Sequence, residues 1–360
     1  MKNKTYALVL KTGDAELRAL QNLSVDKLNI FPIIEITRGR KSKNDKIGCV
    51  SKRIDKIKNI FKGTKICLDL TTSNSLSNEE IDELYSFDNG YQKWLDFLIS
   101  LNNENIFSSI IPTILANVED SNFSHNLKLQ VEKITENFDS IVYRNSLADD
   151  ACYEDIELIK NVIEGSAVNF YFIIDCEYIA PGAWKSFAAK AKIRIEKINS
   201  IIKKTQFIVT STSYPNNISE IGNDDEDTFR LNEIDLFTDI SNNFKTFFIL
   251  YGDYGSINPI RNDGIVMSRG WVPRIDVPLQ TEIFYKRERK GKREYSTTYT
   301  LVAKKVSSDY RFPSHLSSNW GVKQIISCSE GYSPGSNPSF WISVRMNIHI
   351  EQQLKRLNSL

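Results

Sequence analysis

The chain is short of histidine and of paired cysteines, shows no excess charge of either sign and contains no long apolar run. Each shortage removes a class of protein. The five cysteines, Cys49, Cys67, Cys152, Cys176 and Cys328, form no CxxC pair. Cys67 and Cys176 lie inside apolar runs, the setting of buried free thiols in a reducing compartment rather than of a zinc site or a disulfide frame. The three histidines, His125, His315 and His349, are spaced neither as HExxH nor beside a cysteine, which argues against a histidine metal centre. With 46 basic residues against 45 acidic ones, a net charge of +1, no global field draws nucleic acid or an anionic membrane from a distance. A polyanion would need a local patch. The apolar run after the basic start spans only residues 6–10, too short for a signal-peptide core, and no stretch approaches the roughly 18 to 20 apolar residues of a membrane span. The expectation is a cytoplasmic protein without membrane contact.

Two motifs are also missing. The first turn reads Lys11-Thr12-Gly13-Asp14 and lacks the GxGxxG of a dinucleotide fold. Ser211, in VTSTSYP, lacks the Gly-x-Ser-x-Gly setting of a hydrolase nucleophile.

What is present is an apolar content of 41%, with 11% aromatic residues, enough for a large core. Eight short β-branched or aromatic runs recur, at residues 5–10, 31–36, 65–70, 109–115, 140–143, 169–175, 206–210 and 246–251. Several are apolar on both faces, as parallel strands covered on both sides require. Segments of helical period fill most of the gaps, at residues 14–23, 54–61, 77–101, 127–138, 154–163 and 184–202, with a seventh near 232–240. Ser77, followed by Glu80, reads as a capping box. The acidic stretch 223–227 reads as a solvated loop. Repeated strand–helix units of this size predict an α/β fold, a (β/α)8 barrel of the TIM type. After the eighth strand the pattern changes until a last helix at about residues 340–357. The chain therefore divides into a barrel (1–254), an insertion or lid (255–338) and a C-terminal helix packed on the barrel (339–360). The segment TEIFYKRERKGKREYSTTYTLV reads as a β-hairpin with its tip at residues 290–292. The competing architecture is an open, doubly wound sheet with a small C-terminal β domain from about Gly255.

In a (β/α)8 barrel, catalytic groups come from the C-terminal ends of several strands. The residues at or just past those ends are Lys11, Glu35, Asp69, Arg144, Asp175, Ser211, Tyr214 and Asp253. Charged residues inside apolar runs such as PIIE, CLD and FIID are costly to bury unless paired or solvated at the mouth. Glu35, Asp69 and Asp175 are the candidates for acid–base work, or for oxygen ligands of a hard cation, Mg2+ or Mn2+. Lys11 and Arg144 would clamp an anionic substrate. The same five residues also fit a plain ion-pair network that fills the barrel end. Beyond residue 255, aromatic residues (Trp271, Tyr285, Tyr299, Tyr310, Trp320, Trp341) interleave with Arg261, Arg274, Arg287 and Arg311. Such interleaving serves either single-stranded nucleic acid or a small lid core. Trp271, Arg274 and His315 join the substrate-binding candidates, and the basic run 286–293 is the best local place for phosphate contact.

Several of these segments together resemble one family. Tyr6-x-x-x-Leu10-Lys11, Glu16-Leu17-x-Ala19-Leu20, Phe31-Pro32-Ile33-Ile34-Glu35, Gly270-Trp271-x-Pro273-Arg274, Arg311-Phe312 and the stretch 341–349 are similar to the "beta protein" family of bacteriophage and bacterial genomes. The resemblance spans nearly the whole chain. It implies a phage or prophage gene, or a bacterial gene in phage conflict, and carries no catalytic assignment. Two functions stay open at this point. One is a barrel enzyme, a hydrolase or phosphodiesterase, acting on a phosphate-containing or nucleotide-like substrate. The other is an interaction protein of phage defence or counter-defence that docks a protein or nucleic acid through residues 282–300.

Overall fold

A computed structural model describes residues 5–25, 27–43, 45–117, 119–217, 220, 224–260 and 270–359. Eight parallel strands form its centre: β1 (Tyr6–Lys11), β2 (Ile30–Ile36), β3 (Lys65–Leu70), β4 (Ser109–Pro112), β5 (Ser140–Ser146), β6 (Asn169–Tyr178), β7 (Gln206–Thr212) and, after the short β8 (Glu226–Arg230), β9 (Ile249–Asp253). Their order is β4-β3-β2-β1-β9-β7-β6-β5. The two ends of that row meet at a parallel bridge between Thr113 and Val142, supported by the Ile114 amide donating to the Val142 carbonyl at 2.8 Å. Each strand thus neighbours the next in sequence around a nearly closed ring, the order of a (β/α)8 barrel. A doubly wound sheet would reverse direction at a switch point, so the competing architecture is excluded.

The helices around the ring are α1 (Asp14–Gln21), α2 (Ser51–Ile60), α3 (Glu79–Leu84), α4 (Asp88–Asn103), α5 (Phe123–Asn137), α6 (Cys152–Ile163), α7 (Trp184–Ile201) and α8 (Asn232–Asn243). The single helix expected over 77–101 is two. Asn78, not Ser77, caps α3 by accepting from the Ile81 amide, and Glu80 accepts instead from the Val50 amide at 2.7 Å. The chain then turns through positive φ at Asn89, Gly90 and Tyr91. A Cβ on Gly90 would stand 2.8 Å from the Leu129 side chain, so a larger residue would separate α4 from α5.

Strand alternation divides the side chains between two cores. Tyr6, Leu8 and Leu10 of β1 and their equivalents on the other strands face outward to the helices. Ala7, Val9, Phe31, Ile33, Cys67, Ile111, Val142, Tyr171, Ile173, Ile208 and Leu250 fill the barrel. Cys67, buried there, has its thiol pushed up to about 12 by desolvation and is inert as a nucleophile. Two residues further toward the C-terminal end of the strands, the same alternation leaves the apolar filling and reaches charged residues.

The remainder of the chain is a second unit with its own core. β10 (Arg274–Pro278), β11 (Glu282–Arg287) and β8 form an antiparallel sheet in the order β10-β11-β8, against which α9 (Tyr295–Ser307), α10 (Trp320–Ser329) and α11 (Pro338–Asn358) pack. The hairpin therefore exists, but it is not the one expected across residues 290–292. Its arms are β10 and β11, and the expected second arm is the helix α9. The spacing of Tyr299, Val302, Ala303 and Val306, all buried, is helical and outweighs the β-branched composition of that segment. The stretch 223–227 likewise is not wholly a loop, because Glu226 opens β8 and its side chain pairs with Lys286 at 2.7 Å. Asn223 and Arg261 lie outside the described residues.

α11 joins the two units. Trp341, Val344 and Ile348 belong to the second core, while Met346, Ile350, Leu354 and Leu357 belong to the barrel's outer core. No helix among the described residues is long and apolar enough to cross a membrane. Trp341 stacks on Tyr299 with ring centroids 5.0 Å apart and is 4% exposed. Trp341→Ala should cost about 3–5 kcal/mol, measured by urea unfolding. A loss below about 1 kcal/mol would show that α11 does not hold the second unit in place.

Candidate functional site at the barrel mouth

The charged layer follows from strand parity. Lys11, Glu35 and Asp69 are register partners across β1, β2 and β3, each two residues past an interior apolar side chain. Arg144 follows Val142 on β5 in the same way, and Asp175 follows Ile173 on β6. The structure brings these five expected residues together. Lys11 Nζ lies 2.8 Å from Glu35 Oε1. The Arg144 guanidinium reaches three carboxylates, Asp69 at 2.9 Å, Asp175 at 2.8 Å and Glu35 at 3.4 Å.

Tyr254, just past β9, completes the cluster. Its hydroxyl donates to Asp175 at 2.5 Å and accepts from Arg144 Nη2 at 3.2 Å. Tyr254 was not among the residues expected at the strand ends. Extending the alternation from Leu250 through Gly252 would have found it. Beside β6, Asp175 Oδ1 accepts from the Glu177 amide at 2.9 Å, and Glu177 takes φ 53. That left-handed conformation sits at a bulge in the β6–β7 pairing, a device common beside active sites.

Burial and charge set the ionisation of the mouth. Desolvation pushes the Glu35 carboxyl up, but Lys11 and Arg144 outweigh it and hold the group below its ordinary value. For Asp69, desolvation prevails over Arg144, the neighbouring Glu35 adds to it, and the carboxyl is raised. Adjacent carboxyls are thereby driven apart, one toward the ionised form and one toward the protonated form. The exposed part of the cluster is cationic: 20% of the Lys11 side chain and 17% of Arg144 remain accessible, against 7% of Glu35, 9% of Asp69 and 6% of Asp175. Partly buried Glu16 of α1 adds a carboxyl raised by burial to about 6. With Lys11 and Tyr254 it lines a cavity of about 20 Å3, room for one water.

As to a metal, no group of three or more His, Cys, Asp and Glu among the described residues stands in a metal-holding arrangement. The cation among Glu35, Asp69 and Asp175 is the guanidinium of Arg144.

The other expected site residues lie elsewhere. Asp253 and Ser211 have the opposite parity from the interior side chains and face outward. Asp253 is fully buried, accepting from Tyr251 Oη at 2.8 Å, from Tyr6 Oη and from the Gly255 amide, and it sits 2.8 Å from His349 Nε2. Nearby Glu233 of α8 is raised by burial, and further by Asp253, to about 7. This is a wall between barrel and helices. Tyr214 and Arg274 meet at the junction of the two units: the Tyr214 hydroxyl contacts Arg274, Arg345 and Asp276, and Arg345 lies 3.7 Å above its ring. Trp271 belongs to the second unit, and His315 is exposed there.

With the fold and the mouth in view, comparison with known proteins places the chain. The profile of the family described as "Beta protein" matches residues 6–355. The chain belongs to the Beta protein family. It is 27% identical over 364 residues to Protein beta of Enterobacteria phage P4, an alignment covering 100% of this chain and 95% of that protein. No solved structure matches the chain.

Opposed carboxyls should leave opposed pH signatures in stability. A depressed group such as Glu35 stabilises the fold above its unfolded pKa, and that contribution disappears as pH falls. A raised group such as Asp69 stabilises below its unfolded pKa and loses that contribution as pH rises through the folded value. Glu35→Gln should therefore lose Tm relative to the wild type as pH rises from about 2 to about 5, and the difference should stay level above that, while Asp69→Asn should gain relative to the wild type as pH rises from about 4. Parallel Tm curves for both variants would refute the division.

Proposed function

We propose that this protein is an enzyme whose working site is the barrel mouth, with Glu35 as the base, Asp69 as the proton-holding acid, and Lys11 and Arg144 receiving the anionic part of the substrate. One observation carries the reading: in-register neighbours on β2 and β3, both buried, have their carboxyls driven in opposite directions beside two cations that remain partly exposed at the mouth. Pairs of titratable groups separated by their surroundings are the mark of acid–base assignments. Stability alone gives little reason for such a cluster, since buried ion pairs are often replaced by apolar residues at no cost. The site occupies the strand ends, where barrel enzymes draw their groups.

In this arrangement Asp69 delivers a proton to a leaving oxygen and Glu35 takes one from the attacking water, which is hydrolytic chemistry on a phosphate-containing or otherwise anionic ester. Asp175 and Tyr254 hold the Arg144 guanidinium in position.

The test is a thermal-shift and product-release screen with phosphate esters, nucleotides and carboxylated sugars. A ligand raising Tm in the wild type should bind at least about tenfold more weakly to Lys11→Met, and Asp69→Asn should bind it while turning over about 100- to 10,000-fold more slowly. Equal shifts in Lys11→Met, or undiminished turnover in Asp69→Asn, would sink the reading.

A further inference from the structure

Away from the barrel mouth, a cavity of about 610 Å3 opens on the second unit between the segment before β10 and the turn joining β11 to α9. Its walls combine two aromatic rings with three cations: Trp271, Tyr295, Arg287, Arg289 and Lys290. The rings are already stacked on each other, with centroids 4.0 Å apart and planes 14° from parallel. Gly270 makes this approach possible. It has φ +77, and a Cβ there would stand 2.3 Å from the Tyr295 hydroxyl.

The charges around this platform are unequally used. Arg287 Nε lies 4.0 Å from Asp225, the one carboxylate of the lining among the described residues. Among the described residues Arg289 and Lys290 form no ion pair, although Lys290 Nζ stands 5.2 Å over the Tyr295 ring. The adjacent Glu288 does not neutralise them, because it is bonded to Arg293 at 2.8 Å and to Lys305 at 2.6 Å. The cleft therefore offers a stacked aromatic pair flanked by three cations, with Asp225 beside Arg287 as the carboxylate among its described lining residues.

We infer that this cleft binds single-stranded nucleic acid, a base stacking on the Trp271–Tyr295 platform while Arg287, Arg289 and Lys290 meet the flanking phosphates. A flat π-face accepts any base, and cations lining the backbone path supply most of the affinity. A duplex hides its base faces in its own stack and is the poorer ligand. A free nucleotide shares the chemistry but would engage only part of the cationic wall. None of the residues concerned belongs to the barrel mouth, so this inference and the proposed acid–base centre stand or fall separately.

Fluorescence anisotropy with labelled oligothymidylate, its duplex with oligoadenylate, and thymidine monophosphate as competitor tests the inference on the full-length protein. The expected result is binding of the single strand, competed by the mononucleotide only at far higher concentration. Arg289→Ala/Lys290→Ala, a surface change that leaves Tm unaltered, should weaken binding at least about tenfold and flatten the salt dependence. Tyr295→Ala should weaken it at least about fivefold across a range of salt concentrations, with circular dichroism confirming the fold. Unchanged affinity in the double variant, equal affinity for the duplex, or competition by the mononucleotide at parity would each overturn the inference.

Discussion

The charged end of the barrel depends on one guanidinium. Arg144 lies within 3.4 Å of carboxylates from three other strands, and without it Glu35, Asp69 and Asp175 would face one another with Lys11 as the sole cation of the layer among the described residues. Buried like charges at such separations cannot all remain ionised. Arg144 is thus what allows β2, β3 and β6 to end in acids while the ring stays nearly closed. Tyr254 fixes it from β9, so the cluster ties together opposite sides of the barrel.

The layered interior explains why these charges are bearable. Below them the barrel is filled by apolar side chains in the alternating positions of every strand. Polarity is confined to a single layer open to solvent through Lys11 and Arg144. On the outer face, parity produces a second polar group, Asp253 with Tyr6, Tyr251 and His349, wedged where α11 crosses the wall. The two groups differ in access. Only the first presents charge to solvent, which is why the functional reading rests there.

Much of this was legible in the sequence. The eight apolar runs marked the barrel strands, and the acids closing PIIE, CLD and FIID marked the mouth, because a run buried on both faces leaves its final charge nowhere else to go. Parity also separates the failures. Ser211 and Asp253 were grouped with the mouth by their position past strand ends, yet each is one residue out of phase, and Tyr254, in phase, was missed. The second unit was less readable. The β-branched segment before Val302 forms a helix because Tyr299, Val302, Ala303 and Val306 bury one face against β10 and β11, and that partner surface is set by tertiary contacts rather than local preference. The cleft of Trp271 and Tyr295 joins residues from two segments, so the sequence offered its composition but not its geometry.

A double-mutant cycle between Arg144→Met and Asp175→Asn tests most directly whether the guanidinium organises the mouth. Measured by urea unfolding, the coupling should be about 2 kcal/mol or more if Arg144 is held as described. Additive losses, with coupling within about 0.3 kcal/mol of zero, would mean that the two side chains act independently and that the mouth is not built around this arginine.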